Sequence, residues 1–272
     1  MYRFSILLIL FLGISLSAQA QDGNFNSGAR SLGMAHANTT LSDEWAMFNN
    51  IAGIAGQSQY SAVAGIENRY GISSFTSMSA GFLAPSKIGN FGISAFRFGD
   101  NLFNQSKIGL GYAHEIGLFK LGVQVNYLQY SIETLGSKGL LAVEVGGIAQ
   151  ITPELFFGAH IFNINQAVLS PETGERLPTL MKAGLSYRPG DKITLSVETW
   201  KDIEYPASLR AGLEYKILDK LPIRTGIATA PFHQYFGLGF APKNFRIDYA
   251  LSNTSRNLGL SHSFSVSYLL NR

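Results

Sequence analysis

The chain has 272 residues, of which 14% are charged and 12% aromatic, with 29 glycines, no cysteine and a formal net charge of +3. Charge lies well below the roughly 25% of ordinary soluble domains, and the basic residues are spread singly, with Lys87, Lys120, Lys192, Lys220 and Lys243 at expected turns. That excludes nucleic-acid binding, which needs a clustered basic face. Beyond residue 20 no apolar run approaches the ~18 residues of a membrane helix, although mean hydropathy is +0.11.

The first 20 residues read as a secretory leader: Arg3 at the charged start, an apolar core over 6–16, and Ala18-Gln19-Ala20 as the cleavage site. Cleavage is expected near Ala20, with no cysteine there to take a lipid anchor. Without disulfides, an exported chain of roughly 250 residues must be held by burial or by a closed hydrogen-bond ladder.

The next segment, 21–57, is unlike the rest. Within it, Gly28 and Gly33 permit tight turns and close backbone approach. Ser42 or Asp43 is placed to cap a short helix whose Trp45, Met47 and Phe48 need burial. Asn50 and Gly53 are placed to end that helix in left-handed conformations. The expected unit is an N-terminal plug, either a fixed stabilising element or a hatch that shifts.

Residues 58–272 read as one hairpin after another. Strands are expected near 59–67, 72–84, 90–100, 105–115, 119–132, 140–151, 155–166, 179–188, 193–202, 207–217, 221–230, 233–241, 244–253 and 259–270. That makes about fourteen, each close to the ~9–11 residues of a tilted membrane-spanning strand. One set of connections is tight and rich in Pro, Gly or Lys, as at 84–90, 115–117, 152–154, 188–192, 218–220 and 241–244. The other set is generally longer and more polar, notably 99–106 and the segment NQAVLSPETGERLPT. Short turns on one side and longer loops on the other are the asymmetry of outer-membrane barrels.

Alternation supplies a second test. Leu121, Val123, Val125 and Tyr127 oppose Lys120, Gln124 and Asn126, and Leu209, Ala211, Leu213 and Tyr215 oppose Arg210, Gly212 and Glu214. Period two alone does not separate a sandwich from a barrel. The strand count, leader, low charge and lack of cysteine favour an all-β transmembrane antiparallel barrel of about 14 strands, with a short helical plug in its lumen. In such a barrel the apolar set meets lipid, and Glu144, Lys182, Glu198, Arg210, Glu214, Arg224, Arg246 and Asp248 face inward, where opposite charges are expected to pair. The glycines interleaved among them leave room for the plug.

At 28–55 the chain resembles FadL-like and PorV/PorQ-like outer-membrane barrels, which open with Gly-Ala-Arg, Gly-Met, an acidic helix start and Asn-Pro-Ala-Gly-Leu-Ala. The matching residues are Gly28-Ala29-Arg30, Gly33-Met34, Asp43 and Asn50-Ile51-Ala52-Gly53-Ile54-Ala55. Ile51 stands where proline is expected, and Ala35-His36 replaces a Gly-Gly pair. The resemblance implies a plug built on Gly28, Arg30, Gly33, Met34, Asp43, Trp45, Phe48, Asn50 and Gly53. It also implies a location in the outer membrane of a Gram-negative bacterium.

No nucleophile or phosphate-binding motif occurs, and His36, His114, His160, His233 and His262 are scattered without metal-ligand spacing. The reading is a non-enzyme with no cofactor and no metal. Two functions compete. A PorV/PorQ-like role implies binding or assembly in type IX-like protein secretion or surface attachment, with membrane lipid and other outer-membrane or secreted proteins as partners. Its contacts are expected on exposed loops at 166–179 and 99–106. A FadL-like channel for hydrophobic small molecules is the alternative, disfavoured at this stage by short loops, a short plug and a lumen that reads as charged.

Overall fold

The computed structural model describes residues 25–170, 174–203, 206–254 and 259–270. The leader and its cleavage site lie outside the described residues. Fourteen antiparallel strands close into a barrel. They are β1 (Tyr60–Asn68), β2 (Thr76–Ser86), β3 (Gly89–Gly99), β4 (Phe103–Ile116), β5 (Phe119–Ile132), β6 (Gly136–Gln150), β7 (Leu155–Phe162), β10 (Leu180–Tyr187), β11 (Ile193–Asp202), β12 (Ser208–Leu218), β13 (Leu221–Thr229), β14 (Phe232–Phe240), β15 (Phe245–Thr254) and β16 (Leu260–Leu270). The two-residue strand β9 (Glu175–Arg176) and the three-residue β8 (Val168–Ser170) form a separate hairpin inside the longest connection. The ladder closes where β1 meets β16, from Tyr60 opposite Leu270 to Asn68 opposite His262. That closing ladder decides between sandwich and barrel, which periodicity left open.

The molecule is inside out. Along β5, Leu121, Val123, Val125 and Tyr127 are exposed while Gln124 and Asn126 are buried. On the outer face, exposed side chains such as Met78, Ile93, Leu110, Leu185, Leu209 and Leu238 make an apolar belt. An apolar outer surface around a polar interior suits hydrocarbon as the solvent, and closure leaves no strand edge unpaired within it. Phe82, Phe91, Phe119, Tyr187, Tyr215, Phe240, Phe245 and Tyr268 ring the short-turn end from outside. Neighbours in this girdle touch, with Phe245 and Tyr268 at 4.7 Å and Phe91 and Tyr112 at 5.2 Å between ring centres. Aromatic rings gather at the level where hydrocarbon gives way to headgroups.

The seventh expected strand ends earlier than the sequence suggests. β7 stops at Phe162 because Asn163 turns the chain with φ 58°. β6 therefore overhangs its neighbour, and side chains repair the gap. Ile164 donates its N–H to the Val143 carbonyl at 3.0 Å. Asn165 accepts from Val143 N–H at 2.8 Å and donates to the Leu141 carbonyl at 3.0 Å, so its amide stands in for a missing peptide group.

Before β1, the chain from Phe25 to Gly56 runs inside the barrel. It contains α1 (Ala29–Gly33), α2 (Ala46–Asn49) and a 3-10 turn over Ile51–Ile54. Nearly every residue from Phe25 to Ile54 is buried.

Candidate functional site

The site is the occupied lumen, and its shape follows from glycines on the inner wall. A side-chain carbon added at Gly122 would lie 2.7 Å from Ala52 N, and one at Gly212 2.6 Å from Met34 O. At Gly158 it would meet Thr39 O at 2.6 Å, and at Gly226 Ala35 N at 2.8 Å. Gly33 of the inner segment approaches Gly237 less tightly, with 3.1 Å from its would-be Cβ to the Gly237 Cα, while the four wall contacts under 3 Å are the strict ones. Contacts this short are open only to residues without a Cβ, so the wall is cut to the backbone of the segment it encloses.

Polar bonds fix the segment in register. Ala29 N–H donates to Ser265 Oγ at 3.0 Å, and the Trp45 indole N–H donates to Ser267 Oγ at 2.9 Å. The Trp45 ring packs on Gly28 and Gly65 and lies 5.6 Å from Phe48. Asn90 donates to the carbonyls of Ile54 and Gln57 at 2.6 and 2.7 Å, which holds the segment's end at the short-turn rim.

Three expectations about helix ends are corrected. Asn50 is extended (φ −150°, ψ 105°), accepts from Ala52 N–H at 3.3 Å and donates to the Thr39 carbonyl at 2.6 Å. It caps the 3-10 turn rather than ending α2 in a left-handed turn. Gly53 lies within that turn, where a side chain would collide with the Leu41 carbonyl and with Ala46. Asp43 is not the helix cap either: the N-cap of α2 is Trp45, without a side-chain cap bond, and the Asp43 carboxylate accepts from Trp45 N–H at 3.0 Å in the turn before the helix. The left-handed residues of the bend are Ala35 and His36, at φ 56° and 57°, where the families that the segment resembles carry Gly-Gly. The bend is held by His36 N–H donating to the Ser31 carbonyl at 2.8 Å and by its Nδ1 lying 3.0 Å from Ser31 Oγ. Ile51, which replaces the families' proline, opens the 3-10 turn, a position where proline also fits.

The eight inward charges do not form one wall-to-wall network. Glu214, Arg224 and Asp248 do pair, Arg224 donating to both carboxylates at 2.6 Å. Arg30 of the inner segment extends this chain, gripping Glu214 through two bonds of 2.9 and 2.7 Å and Asp43 at 2.9 Å. Burial alone would lower the Arg30 pKa, but Glu214 and Asp43 outweigh it and raise the value. Breaking such a buried chain by removing one partner costs about 3–5 kcal/mol, because it strands a charge. Arg246 pairs with Glu44 of the segment at 2.9 Å but is 40% exposed, so that bond contributes little.

The remaining four face the segment or residues that sequence reasoning missed. Glu144 meets Lys107 at 3.3 Å and His160 at 3.0 Å, and accepts from Asn126 at 2.7 Å. Lys107 and His160 share the inward parity of their strands, which was the available signal. Lys182 donates to the Asn49 carbonyl at 2.8 Å and to Asn26 at 3.1 Å. Glu198 accepts from Thr39 N–H at 2.7 Å and from the Trp200 indole. Arg210 lies 3.5 Å over the Trp200 ring and donates to the Ala35 carbonyl at 3.1 Å.

At the long-loop end the charged lumen becomes mixed, with Lys107 Nζ 5.2 Å over the Phe25 ring and 5.9 Å over Phe162, and Lys182 Nζ 5.0 Å over Trp200. There Phe25 meets Phe96 at 5.4 Å and Phe162 at 5.6 Å. Leu128, Leu140, Leu177, Leu180 and Trp200 belong to the same buried apolar cluster. Leu128 sits in the inward register of β5 after Gln124 and Asn126, so the inner face of that strand turns from polar to apolar towards this end. Of the loop expected to be exposed at 166–179, part of the described stretch folds inward over this cluster, while Gln166, Val168 and Gly174 are exposed. Leu177 is 2% exposed, and Ala167 and Leu169 pack against the cluster. Asn163 pins the loop by donating to the Leu177 carbonyl at 2.7 Å and accepting from Ala167 N–H at 2.9 Å. Glu175 and Arg176 at its tip remain exposed. The other expected loop, 99–106, is a tight turn closed by Asp100 and followed by β4 from Phe103.

Among the described residues, no group of three or more His, Asp or Glu side chains is placed to hold a metal ion. No protein-family model and no curated protein matches the chain. Solved structures match it over nearly its whole length. The toluene transporter TodX of Pseudomonas putida aligns with a TM-score of 0.70 at 12% identity, over 92% of this chain and 99% of that one. The toluene transporter TbuX of Ralstonia pickettii gives 0.65 at 13% identity, over 92% and 100%. A FadL homologue of Pseudomonas aeruginosa gives 0.66 at 13%, over 89% and 98%. At these identities the likeness is one of fold. It is a FadL-type likeness, and the specifically PorV/PorQ-like relationship expected from the N-terminal motif gains no support from these structures.

Proposed function

We propose that this chain is an outer-membrane channel that takes up hydrophobic small molecules, with the inner segment closing the lumen beneath an apolar vestibule. The observation that carries this reading is the buried cluster of Phe25, Phe96, Phe162, Leu140 and Leu177 at the long-loop end, roofed by the loop that Asn163 pins. A capture site for hydrocarbons needs an apolar lining, and here Phe25, Leu140 and Leu177 supply one that they also fill, so a ligand enters by displacing them. The fold likeness to hydrocarbon channels supports the same reading. The secretion-assembly role loses part of its expected surface, since Ala167, Leu169 and Leu177 pack inward, while Gln166, Val168, Gly174, Glu175 and Arg176 stay exposed.

The test is saturable binding of a small apolar fluorophore, or of toluene, to the purified protein in detergent. Leu177→Ala, which thins the roof, is expected to raise the association rate several-fold, and Leu177→Asp to weaken binding at least tenfold. Absence of saturable binding in both the natural protein and Leu177→Ala would rule out the uptake reading.

A further inference from the structure

Towards the short-turn end of the lumen, four polar atoms are buried without a hydrogen-bond partner among the described residues: Thr39 Oγ1, Ser186 Oγ, Ser196 Oγ and Arg188 Nε. Thr39, Ser186 and Ser196 are 0%, 1% and 3% exposed. Stranding one such group costs about 1–3 kcal/mol, so several gathered in one place call for a ligand that answers them.

Their positions converge. Ser186 and Ser196 are direct partners across β10 and β11 and face inward together. On its other side Ser186 is the partner of Phe156. The Arg188 guanidinium lies 4.3 Å over the Phe156 ring and donates through Nη2 to the Thr40 carbonyl at 2.7 Å. Thr39, next in the chain, sits against Gly158, two residues on from Phe156. The three hydroxyls and the guanidinium N–H therefore belong to neighbouring positions at one spot where the inner segment meets β7, β10 and β11. The nearby carboxylates are engaged elsewhere: Glu214 and Asp43 by Arg30, and Glu198 by Trp200 and Thr39 N–H.

We propose that this spot is a binding site for a small oxyanion of the phosphate or sulfate type, which would bridge Thr39 of the inner segment to Ser186, Ser196 and Arg188 of the barrel. Hydroxyls and a guanidinium edge are the donors an oxyanion recruits. Burial, then the nearby Arg30, push the Arg188 pKa down to about 10, and an anion beside it would relieve that loss. The hydroxyls face the barrel interior, so the source is a free ion reaching the lumen rather than a lipid headgroup outside the wall. An ion here ties the segment to β10 and β11, and it would tighten closure of the lumen. The proposal does not depend on what the barrel transports.

Thermal unfolding of the full chain in detergent tests it, with inorganic phosphate compared against chloride at matched ionic strength. Phosphate is expected to raise the midpoint saturably. The double variant Ser186→Ala, Ser196→Ala is expected to weaken phosphate affinity at least tenfold, while Lys220→Gln, at an exposed turn, leaves it unchanged. Arg188→Gln is expected to abolish the response. Should that variant fail to fold, the double serine variant alone decides. No phosphate-specific shift in the natural protein, or an equal shift in the double serine variant, overturns the proposal. A shift reproduced only by phospholipid, and not by inorganic phosphate, overturns the free-ion assignment.

Discussion

Trp45→Ala tests how tightly the inner segment is held. The indole is 3% exposed, and it packs on Gly28 and Gly65, neither of which has a side chain that could collapse into the space left behind. Removing a buried Trp to Ala costs about 3–5 kcal/mol, and a site that cannot relax lies at the upper end. The lost N–H bond to Ser267 at 2.9 Å is part of that cost, at about 1 kcal/mol. The segment contributes no strand to the closed ladder, so the loss falls on docking and not on barrel closure. At roughly 1.4 kcal/mol per decade, the undocked population should rise about a thousandfold. Limited proteolysis of the refolded protein in detergent reads that population as the rate at which N-terminal fragments appear, while the barrel stays intact on an unheated gel. Trp45→Phe keeps a six-membered aromatic ring but loses the bond and part of the indole's buried volume, so cleavage should rise by roughly ten- to a hundredfold, less than for Trp45→Ala. Cleavage of Trp45→Ala within twofold of the natural rate would refute the argument that this ring anchors the segment.

Asn165→Ala removes the amide that completes the β6 edge and leaves Val143 N–H and the Leu141 carbonyl without it. Loss of the two bonds should weaken that edge by about 1–3 kcal/mol, seen as faster hydrogen exchange at Val143 with unchanged exchange at the β1–β16 seam. Asp100, in the turn between β3 and β4, has its carboxyl pKa lowered below 3.8 by hydrogen bonds from Ser74 and from the backbone N–H groups of Phe103 and Leu102. A depressed pKa means the turn's stabilisation is full above the ordinary carboxylate range and is lost as pH falls through the lower folded value. Exchange at Leu102 and Phe103 should therefore accelerate only on strong acidification, and Asp100→Asn should remove that pH dependence. A turn whose exchange has the same acid profile in both proteins would contradict this.

How much was legible in the sequence depends on which interactions are local. Alternation in β5, β10, β12 and β16 marked the outward set, because pleat geometry fixes side-chain direction from neighbour to neighbour. The turn residues marked all fourteen barrel strands. Gly28 and Gly33 were recognised as points of close approach. Asn50 and Gly53 were misassigned because α2 spans only four residues and a 3-10 turn follows at once, so wall contacts set their backbone and helix-end rules do not. Lys107 and His160 were overlooked as partners of Glu144 because pairing across β4, β6 and β7 depends on register, which a list of single strands does not contain.

By itself, then, the sequence determined a strand-built, apolar-sided wall and a distinct N-terminal piece, since period two, turn chemistry and low charge are properties of short stretches. Only the tertiary structure decided that the wall closes on itself, that Arg30 joins the Glu214–Arg224–Asp248 chain, and that Phe25, Leu140 and Leu177 belong to one buried apolar cluster. Those outcomes depend on which residues are brought together from more than a hundred positions apart, and the stagger of a closed ladder sets that.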